Sequence, residues 1–135
     1  MRITTRSRYA LRMMVQLARH YRQGPVSLTQ VARDQQVSSK YLSQLVLPLR
    51  RTGLIEAQSG THGGYLLARP PRRITVRQVV EIFEPVATPA PCVGNKRHCG
   101  RWRHCPSRPV WSDLGARIGS FLESITLQDL AHGES

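Results

Sequence analysis

The stretch SLTQVARDQQVSSKYLSQLVLPLRR, residues Ser27–Arg51, decides the fold. Ser27-Leu28-Thr29-Gln30 has the form of a capping box, in which the serine caps an amide three positions on and the glutamine reaches back. Leu28, Val31 and Ala32 supply one apolar face of a short helix. The polar Asp34-Gln35-Gln36 then turns the chain. Ser38 or Ser39 can cap a second helix, in which Leu42, Leu45, Val46 and Leu49 recur at helical spacing. The small Ala32 lets the two helices cross closely over Val37. Gln36 stands where many such turns carry glycine, and Pro48, which removes a backbone bond, predicts a kink or an early end.

Working outward, Gly53–Ala57 and Tyr65–Ala68 read as short strands around the flexible tip Gln58–Gly64. Helix, tight turn, helix and Gly-tipped hairpin is the order of a winged helix-turn-helix. An ordinary helical hairpin is the plainer alternative. Upstream, Ala10, Met13, Met14, Leu17, Ala18 and Tyr21 form one buried helical face, with Thr5 or Ser7 as cap and Gly24-Pro25 as stop. Downstream, Thr75–Gln78 is a second capping box, opening a helix that buries Val76, Val79, Val80 and Phe83. From Pro85 to Pro109 the periodicity disappears, and that segment holds five of the nine prolines. Beyond it Trp111, Leu114, Ile118, Phe121 and Ile125 form a 3-4-3-4 seam widened by Val110 and Leu122. The seam reads as a dimerisation helix; a helix packed on its own domain gives a similar pattern. Thr126–Leu130 reads as a last helical turn. The expected architecture is mainly α with a small β-hairpin. A winged helix-turn-helix domain spans residues 1–84 (helix-turn-helix about 28–51, wing about 54–68). A cysteine-containing loop spans 85–109, and a dimerisation helix and tail span 110–135.

The 135 residues carry 20 Lys and Arg against 8 Asp and Glu, a net charge of +12. Residues 1–70 hold 11 basic and 2 acidic side chains, so the excess sits in the half that carries the helix-turn-helix. So basic a chain implies a polyanionic partner, nucleic acid or an anionic membrane. No run approaches the ~20 apolar residues of a bilayer span, and Arg12 and Gln16 interrupt the only early apolar stretch, so a cytoplasmic protein is expected. In a winged helix-turn-helix the second helix enters the major groove of double-stranded DNA. Ser38, Ser39, Lys40, Tyr41 and Gln44 are the exposed side chains at its front. Gln pairs with adenine, Lys with guanine and Ser with either. Arg50, Arg51, Arg2, Arg6, Arg8 and Arg12 are placed to neutralise phosphates, and Thr61 and His62 at the wing tip to reach a minor groove.

Cys92, Cys99 and Cys105 are the chain's three cysteines, spaced C-x6-C-x5-C in the Pro-rich loop. An odd count in a reducing compartment argues against a disulfide framework. Thiolates along a flexible loop suit zinc or an iron–sulfur cluster. His98 and His104 each precede a cysteine, and Lys96, Arg97, Arg101 and Arg103 favour the thiolate forms. Three incidental thiols are the plainer alternative. No P-loop, paired carboxylates or substrate constellation points to an enzyme.

The sequence resembles the IscR-like (Rrf-type) family of bacterial regulators over essentially its whole length. The resemblance rests on Met1-Arg2-Ile3-Thr4, Arg8-Tyr9-Ala10, Gly24-Pro25-Val26, Tyr41-Leu42-x-Gln44-Leu45, Gly53-Leu54 and Gly63-Gly64-Tyr65-Leu66-Leu67. The three cysteines, Trp111-x-Asp113-Leu114 and Ile125-Thr126-Leu127 continue it. It implies a homodimeric winged-helix repressor that binds an inverted-repeat promoter site and carries a 2Fe–2S or 4Fe–4S cluster, the former slightly favoured. The cluster's state would report iron, nitric oxide or redox status. The alternative is a zinc-stabilised DNA-binding protein with a structural Cys/His loop. The chain departs from the family in four places. The first cysteine spacing is x6 where the family has x5. Arg108 stands where the 2Fe–2S regulator has a histidine, leaving His104 or His98 as candidates for a fourth ligand. Ser7 and Arg8 stand where some 4Fe–4S relatives have a carboxylate. Ser43 replaces an acidic residue of the recognition helix.

Overall fold

A computed structural model of the protein describes residues 3–94 and 100–133. It is mainly helical with one two-stranded antiparallel sheet, the architecture expected from the sequence. Helix α1 (Thr5–Arg19) lies at the centre, with Ala10, Met13 and Met14 fully buried and Leu17 nearly so. Thr4, not Thr5 or Ser7, is its cap and accepts from the Ser7 amide. The Ser7 side chain is buried and its hydroxyl bonds Glu84 instead.

Helices α2 (Leu28–Gln35) and α3 (Ser39–Arg51) pack through Val31, Ala32, Leu42 and Leu45. Burying each of these leucines contributes roughly 1.5–3 kcal/mol. Ser27 and Ser38 cap the two helices by accepting from the Gln30 and Tyr41 amides. The turn between them closes with the Val37 amide on the Ala32 carbonyl at 3.0 Å. Gln36 adopts the left-handed conformation, φ 57° and ψ 46°, the geometry that makes glycine common at this place. The helix α3 does not stop at Pro48 but continues to Arg51. The carbonyl that Pro48 leaves without a partner belongs to exposed Gln44, where water can satisfy it.

Strands β1 (Ile55–Gln58) and β2 (Gly64–Leu67) pair in antiparallel register, Ile55 opposite Leu67 and Gln58 opposite Gly64. Val26 adds a bridge to Tyr65 along the far edge, which the sequence did not suggest. At Gly64 a Cβ would lie 2.4 Å from the Val26 carbonyl oxygen, so only glycine lets the wing approach this closely. A 3-10 turn (Pro71–Arg73) leads to α4 (Val76–Val80), whose capping box between Thr75 and Gln78 is complete. Helix α6 (Leu127–His132) has a second complete box between Thr126 and Asp129. It packs on α1 and is tied back by a Thr75–Thr126 bridge.

Helix α5 (Arg108–Glu123) docks on α4 through Gly119 and on the segment after α4 through Gly115. A Cβ at Gly115 would meet the Ala87 carbonyl oxygen at 2.0 Å, and one at Gly119 the Arg77 guanidinium at 3.0 Å. Arg77 in turn pairs with Glu81 at 3.1 Å and Glu123 at 3.2 Å. The 3-4-3-4 seam therefore divides. Ile118, Leu122 and Ile125 pack against Val76, Val80 and Val86 of the same chain. Val110, Trp111, Leu114 and Phe121 stay exposed. Ile125 lies past the helix end, after the cap Ser124. Among the described residues no helix is long and apolar enough to cross a membrane.

Candidate nucleic-acid interface and cysteine loop

The buried side of α3 is Leu42, Leu45, Val46 and Leu49, so the opposite side must face outward. Lys40, Ser43, Gln44 and Arg51 lie on that outward side and are exposed, as are Ser38 and Ser39 at its head. The Ser38 oxygen is committed to its cap. Tyr41 is half-buried, edge-on to Tyr9 with ring centroids 5.9 Å apart. Ser43 donates to the Lys40 carbonyl at 2.7 Å. Arg51 is the last residue of α3 rather than a residue beyond it. Leu47 was missed by sequence reasoning. It stands 49% exposed beside Lys40 and Gln44, and the signal was its position outside the Leu42–Leu49 buried set. An exposed leucine here can meet a thymine methyl.

Thr61 and His62 are exposed at the wing tip. In the N-terminal segment Arg6 stacks over the Phe83 ring at 5.0 Å, and Arg8 donates to Thr5 Oγ1 at 3.2 Å. Arg2 lies outside the described residues. The ion pairs formed among the described residues engage Arg77 and Arg117, both outside the N-terminal half. The positive charge around α3 is therefore uncompensated there, and it offers phosphates an attractive surface.

Glu84, just before the cysteine loop, sits against the start of α1. It accepts from the Thr4 amide at 3.0 Å, from the Thr4 hydroxyl at 2.6 Å and from the Ser7 hydroxyl. Partial burial raises its pKa, but the Ser7 and Thr4 hydrogen bonds outweigh that and hold it below the ordinary carboxylate value.

Cys92 and Cys105 are free thiols, both half-buried. Cys99 and His98 lie outside the described residues, so the structure does not describe the three thiols together. Cys105 lies immediately before α5 with its sulfur 3.2 Å from Ser107 Oγ. The Ser107 hydroxyl, then the backbone amides of Ser107 and Arg108, and the Arg108 charge outweigh partial burial and lower its pKa. A thiol drawn toward its thiolate form is the donor that zinc or an iron–sulfur group needs, so this end of the loop fits thiolate ligation. Arg108 does not face that role. Its guanidinium lies over the Trp102 ring at 4.2 Å, and its Nε donates to the Trp102 carbonyl at 2.9 Å. His104 is exposed next to Cys105.

These features can be set beside known proteins. The sequence profile of the Rrf2 family, described as "Iron-dependent Transcriptional regulator", matches residues 3–133. The HTH-type transcriptional regulator IscR of Xenorhabdus nematophila is 38% identical over 134 residues, covering 99% of this chain and 81% of that protein. The structure of CymR (YrzC), the global cysteine regulator of B. subtilis, superposes with a TM-score of 0.85 at 32% identity, covering 100% of this chain and 99% of that one. The T. potens IscR structure gives 0.79 at 33% identity, covering 96% and 85%. With the family match over nearly its whole length, this chain belongs to the Rrf2 family of DNA-binding transcriptional regulators.

Proposed function

We propose that this DNA-binding regulator is a homodimeric, cytoplasmic repressor whose promoter affinity is set by an iron–sulfur cluster on Cys92, Cys99 and Cys105. The observation that carries the reading is Cys105, held against Ser107 three residues before α5 and drawn toward its thiolate, with an exposed apolar face on the helix that follows. In this reading residues 1–84 read DNA, 85–109 hold the cluster and 110–135 pair two copies. The cluster supplies a centre that reacts with oxidants or nitric oxide. The chain's part is to supply the thiolates, to hold Cys105 through Ser107, and to keep the Arg108 guanidinium on Trp102, from where its charge favours the Cys105 thiolate without ligating. His104 or His98 completes the ligands. Two copies paired through Val110, Leu114 and Phe121 would place two α3 helices on one face of a duplex carrying an inverted repeat. Lys40, Gln44 and Leu47 would meet base edges, and Arg6, Arg8, Arg50 and Arg51 phosphates.

Metal and sulfide analysis with a visible spectrum, on protein purified without air, tests this. Iron with inorganic sulfide and visible absorbance is expected, and alanine at any one of the three cysteines removes both while the far-ultraviolet signal stays. Zinc without sulfide would replace the sensing role by a structural metal. Full iron content in all three variants would overturn the cysteine assignment.

A further inference from the structure

Arg12 does not project freely toward solvent as a phosphate contact would. Its Nε donates to Gln35 Oε1 at 2.9 Å and its Nη2 to the Gln35 carbonyl at 3.0 Å. Gln35 is the last residue of α2, directly before the left-handed Gln36. The Gln35 amide donates onward to Gln16 Oε1 at 2.9 Å, and Gln16 Nε2 donates to Asp34 Oδ2 at 2.8 Å. Gln16 is 5% exposed, so both halves of its amide require partners, and both have them. On its other side the Arg12 guanidinium covers the Tyr9 ring at 4.8 Å, and Tyr9 meets Tyr41 in the first turn of α3.

Two arms therefore leave Arg12. One runs through Gln35 and Gln16 to the turn, the other through Tyr9 to the front of α3. Only the Gln16 end of this network is buried; Arg12 and its bonds to Gln35 are exposed. The geometry is fixed there by the two-pronged donation and the stacking on Tyr9, while any alternative at Gln16 leaves a buried amide unpaired. We infer that Arg12, with Gln16 behind it, is a positioning residue that sets how the front of α3 meets base edges, and that it makes no phosphate contact. The inference rests on the assignment of α3 as the reading helix. It replaces the phosphate role that sequence position alone gave Arg12.

Lysine at this position keeps the charge and loses the two-pronged donation to Gln35. Methionine keeps the stem and loses the charge. The probes are the duplex that the wild-type protein enriches from a random-sequence pool and a scrambled duplex of equal length. Arg12→Lys and Arg12→Met are each expected to lose about tenfold on the enriched duplex. Both should stay within about twofold of wild type on scrambled DNA and keep the wild-type salt slope, as a residue off the phosphates should. Thermal unfolding of both variants, with binding measured well below their Tm, separates this from simple destabilisation, which leaves the ratio between the two duplexes unchanged. An unchanged ratio in Arg12→Lys overturns the inference. So does an Arg12→Met variant that weakens on both duplexes alike and flattens the salt slope by about one unit. A wild-type protein that enriches no sequence would instead overturn the assignment of α3.

Discussion

Gln36 is held at φ 57° between α2 and α3, where an L-residue with a side chain is strained by about 1–2 kcal/mol. Glycine removes that strain and returns part of the gain as unfolded-state entropy. Gln36→Gly is therefore expected to raise Tm by about 2–4 °C, and Gln36→Val to lower it; thermal melts of both check this. At Glu84 the effect is electrostatic. Its folded-state pKa lies below the ordinary 4.5, because the Ser7 and Thr4 hydrogen bonds outweigh burial. Its stabilisation is fully present above 4.5 and is lost as pH falls through the lower folded-state value. Glu84→Gln is expected to melt below wild type at neutral pH, with the difference closing in acid. Melts from pH 7 to 3 measure that gap, and a gap independent of pH would mean that the charge contributes nothing.

At the level of elements, α5 has two faces with different obligations. Ile118 is needed by its own domain, while Leu114 and Phe121 are exposed. Leu114→Glu and Phe121→Glu should leave a folded chain near the single-subunit 15.3 kDa, whereas Ile118→Glu should unfold it. Light scattering with circular dichroism separates the outcomes, and a wild type of single-subunit mass would remove the proposed pairing. Helix periodicity had placed all five seam residues on one surface. It could not divide them, because the division comes from Gly115 and Gly119 pressing α5 onto Ala87 and Arg77, contacts distant in sequence. By contrast α2, α3 and the wing were legible to within a residue or two, since caps, turn and apolar spacing are local signals that agree. The Val26–Tyr65 bridge, the Glu84 clamp and the Gln16 network were not legible, because each joins side chains or backbone far apart in the chain.

Across the whole molecule the net charge of +12 is concentrated in the N-terminal half, where no ion pair forms among the described residues around α3, the proposed reading helix. DNA binding should weaken steeply with salt, each neutralised phosphate contributing roughly 0.9 to the log–log slope. Lys40→Ala or Gln44→Ala should cost about 1–3 kcal/mol on the preferred duplex and relax its sequence preference. Arg51→Ala should weaken all duplexes alike and lower the slope by about one. Titrations on preferred and scrambled DNA decide; equal losses on both for Lys40 and Gln44 would put a different surface in the groove. The contact between Gly115 and Ala87 reaches further than helix docking. It fastens the beginning of the cysteine segment to the helix that follows its end, so the segment is a tethered ring, not a free arm. Cys92 and Cys105 are thereby kept at high effective concentration whatever lies between them. In such a ring one added residue between Cys92 and Cys99 changes the closure entropy by only about 0.1 kcal/mol, so the x6 spacing is no thermodynamic bar to the proposed three-thiol site.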